Sequence, residues 1–329
     1  MLHAAIEPTP NLVETTEQAA VHFWAMNIYN SLSRVSVPLF IMLSGALLLQ
    51  PFKDEPLSVF FKKRFRRIGP AFVFWGAAYF AWRVFANGET LTANSIVQGI
   101  LTGPYFHFWF LYMLIGLYLI TPLLRLFVNH ADLKVLRYIV VLWFVGVAIN
   151  PLIGIVAGVK IDTNVFVIVG WVGYFLLGVL LQKERLRPAY LYTVMVVGYL
   201  WTIFGSWVVT YYVGGDASYF FYDFLTANII LTSAALFQLL LGMSPNLFAR
   251  RFPNAEKLVH LISQYTLPVY LFHVMILQSL ERGYFGFTLS VTTLNPLVEV
   301  PLAAVVALFV SVGVIYLLRK IPILKNIVG

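Results

Sequence analysis

The sequence predicts an all-α, polytopic membrane protein, and three observations predict it. Of its 329 residues, 60% are hydrophobic and only 11% charged, with a mean hydropathy of +0.83, which no soluble domain of this size approaches. The apolar residues form long continuous runs, whereas a membrane barrel would show short alternating segments. The cations collect in alternate connections between those runs, the pattern of a chain threaded repeatedly through a bilayer.

The first 30 residues open with Met1-Leu2-His3-Ala4-Ala5 and then turn polar, with Glu7, Glu14 and Glu17 and no cation before Arg34. Nine complete spans are expected, at 31–49, 68–85, 108–127, 138–158, 164–181, 189–213, 221–243, 261–280 and 297–318. Each is close to the ~20 residues a bilayer requires. The 53–67, 125–137, 183–187, 250–257 and 319–325 stretches carry 18 of the 22 Lys and Arg residues. That side is therefore cytoplasmic, and with it the C-terminus. Nine spans strand residue 1 outside, so the opening stub reads as the outer end of a truncated first helix. One domain, 1–329, is expected, with no repeat and no linker. The net charge of +8 sits in loops and is not read as nucleic-acid binding. The absence of cysteine excludes disulfides, thiolate metal sites and a cysteine acyl-enzyme. No GxSxG, Walker or HExxH motif occurs, and no metal site is expected.

The most informative stretch is FFKKRFRRIGP, 60–70. Lys62, Lys63, Arg64, Arg66 and Arg67 crowd one face of a helical pattern, and Leu57, Phe60, Phe61, Phe65 and Ile68 the other. The pattern predicts a short amphipathic helix on the inner membrane surface, leading into the second span. Its bland reading is a positive-inside anchor. Its sharper reading is a phosphate clamp, because Arg64 and Arg67 stand one turn apart and a guanidinium grips phosphate in two-pronged fashion.

Polar side chains at membrane depth are costly and so draw attention next. His3 is an ordinary residue near the start or an intramembrane general base. Arg34 opens the span at 31–49 as a snorkelling residue or as part of a site. Ser44 and Gly45 read as helix-packing contacts, or as a close approach to ligand. His107 and Trp109, in HFWFLY, sit at an outward-facing end where aromatic anchoring is the default. Tyr270 and His273 fall one turn apart inside 261–280, as a structural pair or a catalytic one. His22, His130 and His260 fall in loops. Asp162, Asp216, Asp223, Glu281 and Glu299 lie near the outer face.

Four segments, RVSVPLFIMLSGALL, FFKKRFRRIGP, FHFWFLYMLIGLYLITPLLR and YTLPVYLFH, resemble the acyltransferase 3 family, in order and over nearly the whole chain. The nearest branch is the surface polysaccharide O-acyltransferases, of the enterobacterial common antigen O-acetyltransferase kind. The resemblance implies ten transmembrane helices in the bacterial inner (cell) membrane. It implies acetyl-CoA or another acyl-CoA as cytoplasmic co-substrate, no bound cofactor, and a cell-surface or lipid-linked carbohydrate as acceptor on the outer side. The family's Arg-x-x-Arg falls on Arg64 and Arg67. Its first-helix Arg-x10-His puts the histidine on His3 and the arginine upstream of Met1. On this resemblance His3 is the catalytic base and Arg64 and Arg67 bind acyl-CoA. Arg34, Ser44, Trp109, Tyr270 and His273 are candidates for the pocket wall or oxyanion donors. The rival reading is a polytopic transporter or a polysaccharide export component without acyl transfer. Against a transporter stand the lack of an inverted repeat and of paired membrane carboxylates.

Overall fold

The structure, a computed structural model, describes residues 17–50, 55–149, 151–153, 170–213, 215–244, 250–290 and 294–329. Every regular element among them is helical. In chain order they are α1 (Glu17–Ser33), α2 (Ser36–Leu48), α3 (Leu57–Asn87), α4 (Ala93–Thr102), α5 (Trp109–His130) and α6 (Leu133–Phe144). There follow α7 (Gly170–Lys183), α8 (Pro188–Tyr212), α9 (Ala227–Gly242), α10 (Pro253–Ser263), α11 (Thr266–Glu281) and α12 (Pro296–Leu318). Among the described residues, six helical runs are long and apolar enough to cross a membrane: Ala19–Leu48, Ala93–His130, Leu133–Ile153, Pro188–Tyr212, Tyr219–Gly242 and Pro296–Leu318. The α10–α11 pair, bent by 83°, makes a seventh if it counts as one span. Of the other segments expected to cross, 68–85 lies within α3 and 164–181 is described only from Gly170 onward.

Two local expectations are corrected. The surface helix at 60–70 is not a separate element. It is the first third of the 31-residue α3, which runs through Pro70 without ending. The first crossing does not begin at 31 either, because α1 is helical from Glu17. The polar residues that make this stretch look like a loop are satisfied inward. Asn27 donates to the Ile203 carbonyl (2.9 Å) and accepts from the Tyr222 hydroxyl (2.8 Å) and Ser31 Oγ (3.1 Å). In lipid, such internal pairing is a condition for burial. Arg34 therefore stands in the middle of the Ala19–Leu48 run and not at its edge. The turn there has a covalent cause. Pro38 has no N–H to give the Arg34 carbonyl, so the ladder lapses for one turn between α1 and α2. His22 and His260 likewise fall in helices, in α1 and α10, and His130 ends α5.

The chain divides into two compact units. Unit 1 comprises 1–53, 123–244 and 295–300; unit 2 comprises 54–122, 245–294 and 301–329. In unit 1, α2 and α7 approach backbone to backbone. A Cβ on Gly45 would lie 2.0 Å from the Phe175 carbonyl oxygen, and one on Gly178 would lie 2.1 Å from that of Met42. Trp143, fully buried, lies over Gly173 and donates to the Gly170 carbonyl at 2.7 Å. Asn228 bridges α8 and α9 by donating to Thr202 Oγ1 (2.9 Å) and to the Phe221 carbonyl (2.8 Å). In unit 2, α3 is tied to α11 by the Tyr79 hydroxyl, which donates to the Leu271 carbonyl (2.9 Å). The Trp75 indole reaches the Val328 carbonyl at 3.0 Å. Gly103, at φ +114°, ends α4 and turns the chain into the 3₁₀ turn Phe106–Phe108.

Candidate functional site

Unit 2 gathers polar chemistry at two levels of α3. At its N-terminal end, the Arg64 guanidinium lies 4.0 Å over the Phe60 ring and donates to Glu55 Oε2 at 3.1 Å. Glu55 also accepts from Lys63 Nζ at 2.5 Å. The Lys63 hydrogen bond, with the charges of Lys63 and Arg64, holds the Glu55 carboxyl below the usual range, so it is ionised near neutral pH. Arg64 is thus pre-positioned, with 17% of its side chain exposed, while Arg66 and Arg67 are exposed.

Above Arg64, α3 and α5 line an apolar groove of about 1130 Å³. Phe61, Gly69, Phe72 and Ala77 come from α3, and Ile115 and Tyr118 from α5. Apart from Arg64 the wall is almost wholly hydrocarbon and aromatic, with the Tyr118 hydroxyl within the electric field of both Arg64 and Arg67. Just beyond the groove's last residues on α3, Ala77 and Ala78, stands Tyr79.

Tyr79 opens the second level. His107 is fully buried, with its ring centroid 4.9 Å from Tyr79, 5.7 Å from Tyr270 and 5.8 Å from His273. The Tyr270 hydroxyl donates to the His107 carbonyl. His273 Nδ1 meets the Tyr270 carbonyl at 2.6 Å. One to two turns on, Gln278 accepts from the Trp82 indole and the Tyr105 hydroxyl, each at 2.8 Å. The half-buried His273 and Tyr270 therefore do pair, as their spacing suggested, and His107 joins them. Trp109 is half-buried and starts α5 directly after the 3₁₀ turn, with its ring edge-on to Phe110 (6.1 Å).

Arg34 and Ser44 belong to unit 1, and the constellation just described to unit 2. Arg34 is 8% exposed, donates from Nε to Asn30 Oδ1 at 2.7 Å, and holds its guanidinium 5.2 and 5.4 Å from the Tyr222 and Phe224 rings. It is embedded in the helix bundle and does not snorkel. Gly45 is a packing contact, as the small-residue reading expects, and Ser44 is half-buried next to it. His3 lies outside the described residues.

Sequence reasoning missed Glu55, Tyr79, Tyr105, Tyr118 and Gln278. Only Gln278 carried a signal of its own, an amide within an apolar run. The tyrosines are indistinguishable from belt aromatics until their hydroxyl partners are known.

No curated protein and no solved structure matches the chain. The acyltransferase 3 family model, an acyltransferase domain, matches residues 1–318. With nearly its whole length matched and apolar helices long enough to cross a membrane, the chain belongs to the acyltransferase 3 family and is a membrane acyltransferase.

Proposed function

We propose that the protein moves an acyl group, acetyl in the first instance, from cytoplasmic acyl-CoA to a hydroxyl of a cell-surface or lipid-linked carbohydrate. This is the chemistry of the surface polysaccharide branch, of the enterobacterial common antigen O-acetyltransferase kind. The observation that carries it is the organisation of α3. One helix presents a guanidinium pair near its N-terminal end, an apolar groove along its middle, and a cluster of imidazoles and phenols beyond. Twelve residues of helix separate Arg67 from Tyr79, a rise of about 18 Å. That is the scale of an extended phosphopantetheine arm. Arg64 and Arg67 hold the coenzyme A phosphates, the arm lies in the groove, and the thioester arrives among Tyr79, His107, Tyr270 and His273. His3 takes the proton of the acceptor hydroxyl, which approaches from outside. Trp109, at the start of α5 in the same unit, serves as a wall group. Water exclusion by the apolar groove strengthens each of these electrostatic contacts and keeps the thioester from hydrolysis.

The test is reconstitution in vesicles with labelled acyl-CoA on the inner face and a lipid-linked glycan as acceptor. Saturable binding, slow thiol release without acceptor and label transfer with it are expected. Absence of acyl-CoA binding would sink the reading in favour of a transporter or export component.

The same reading places nine spans in the bacterial inner membrane over one domain, with the C-terminus in the cytoplasm. A reporter fused after Lys325 should therefore be cytoplasmic, and one inserted at Gly88–Glu89, between α3 and α4, should be external. Reporter activity on the opposite sides would invert the assignment of clamp and acceptor faces.

A further inference from the structure

The transfer releases a proton at one place and needs one at another. The acceptor O–H bond breaks, its oxygen joins the acyl carbon, the C–S bond breaks, and sulfur leaves as a thiolate. The products are an ester and a neutral thiol, so the hydroxyl's proton must end on sulfur. Bulk water can deliver it at a surface. In an apolar groove inside the membrane a protein group has to carry it.

We propose that His273 is that carrier. This rests on the acyl-transfer reading and adds a residue and a step to it. A carbonyl oxygen only accepts hydrogen bonds, so the 2.6 Å contact to the Tyr270 carbonyl requires the hydrogen of the neutral ring to sit on His273 Nδ1. Nε2 is then the nitrogen with the lone pair. It receives the hydroxyl's proton from the general base that removed it, which returns to neutral, and the imidazolium passes the proton from Nε2 to the thiolate sulfur. His273 ends neutral and the balance closes.

The surroundings suit the role. Tyr270, whose carbonyl fixes the tautomer, is itself held by its hydroxyl on the His107 carbonyl, so the ring has an anchored neighbour. The two histidines differ in access: His107 is fully enclosed between Tyr79, Tyr105, Phe108 and Tyr270, whereas His273 is only half-buried. Both sit in the unit that also holds Arg64 and the groove. Sequence spacing makes Tyr270 and His273 a pair; the direction of the hydrogen bond gives that pair a chemistry.

The test uses the intact protein in vesicles, with acyl-CoA binding, thiol release and acyl transfer each measured. His273→Gln should bind acyl-CoA within about twofold of the wild type and lose transfer by about 10²–10⁴-fold, the usual span of general acid–base catalysis. Added imidazole should restore part of the transfer in His273→Ala, which a packing role would not allow. Tyr270→Phe keeps the ring and removes the anchor, so it should lower kcat with KM for acyl-CoA unchanged, and it covers the case in which the His273 variants fail to fold. Transfer within threefold of wild type in His273→Gln, or in Tyr270→Phe if His273→Gln does not fold, overturns the proposal. A wild type that binds no acyl-CoA overturns the acyl-transfer reading instead, so the two failures are distinct.

Discussion

Gly45→Ala and Gly178→Ala should each destabilise the protein severely, although a single methyl is all that either adds. Local propensity argues the other way, since alanine in a helix interior is favoured over glycine by about 1 kcal/mol. Packing decides. Each new Cβ would fall 2.0–2.1 Å from a backbone oxygen of the facing helix, where nothing flexible can yield. Relief requires the whole α2–α7 contact to open. Ordinary overpacking costs about 1–3 kcal/mol, and a backbone collision belongs at or beyond the top of that range. Separating the helices also forfeits the dispersion contacts that hold apolar helices together where no hydrophobic effect does so. The measurement is the yield of monodisperse protein in detergent and its apparent melting temperature. Gly116→Ala and Gly313→Ala are the controls, because a Cβ at either meets nothing within 4 Å. They should be neutral or slightly stabilising. Equal behaviour of all four variants would mean that α2 and α7 do not touch as described.

That contrast marks where the sequence is legible. The membrane class follows from apolar runs, which need no partner to be recognised, and the predicted starts near 189, 221 and 297 agree with α8, the Tyr219–Gly242 run and α12 within a few residues. The helical placing of Arg64 and Arg67 one turn apart was legible because charge spacing on a helix is local. What escaped depends on partners far along the chain. Asn27 reads as loop until its bonds to residues 203 and 222 are known. Arg34 reads as an edge residue until α1 is seen to continue before it, and Tyr79 as lipid-facing until Leu271 accepts its hydroxyl. Pro70 falls inside the expected span at 68–85, and α3 passes through it. In a bilayer a lone missing N–H is tolerated more readily than an early end to the helix, which would expose several backbone groups to lipid.

Arg64→Ala should weaken acyl-CoA binding by about 10- to 150-fold, from the 1.5–3 kcal/mol of hydrogen bonds made to a charged group. Arg67→Ala should fall toward the lower end of that range, because its side chain starts exposed and its phosphate contact competes with water. Arg64 alone is pre-organised, stacked on Phe60 and oriented by Glu55, so less ordering remains to be done on binding. Lysine should rescue poorly at position 64, since it offers neither the flat face for the Phe60 ring nor the two-pronged grip. Glu55 sharpens the test. As an ionised carboxylate on the very guanidinium that must meet a phosphate, it competes with the ligand. Glu55→Gln should therefore tighten acyl-CoA binding, while a purely structural Glu55 would leave it unchanged or weaken it by loosening Arg64. Titrating wild type, Arg64→Ala, Arg67→Ala and Glu55→Gln with one acyl-CoA at two ionic strengths separates these outcomes, because charge-driven binding must weaken as salt rises. If both alanine variants bind like wild type, the basic end of α3 is an orientation anchor only and the donor's phosphates are held elsewhere.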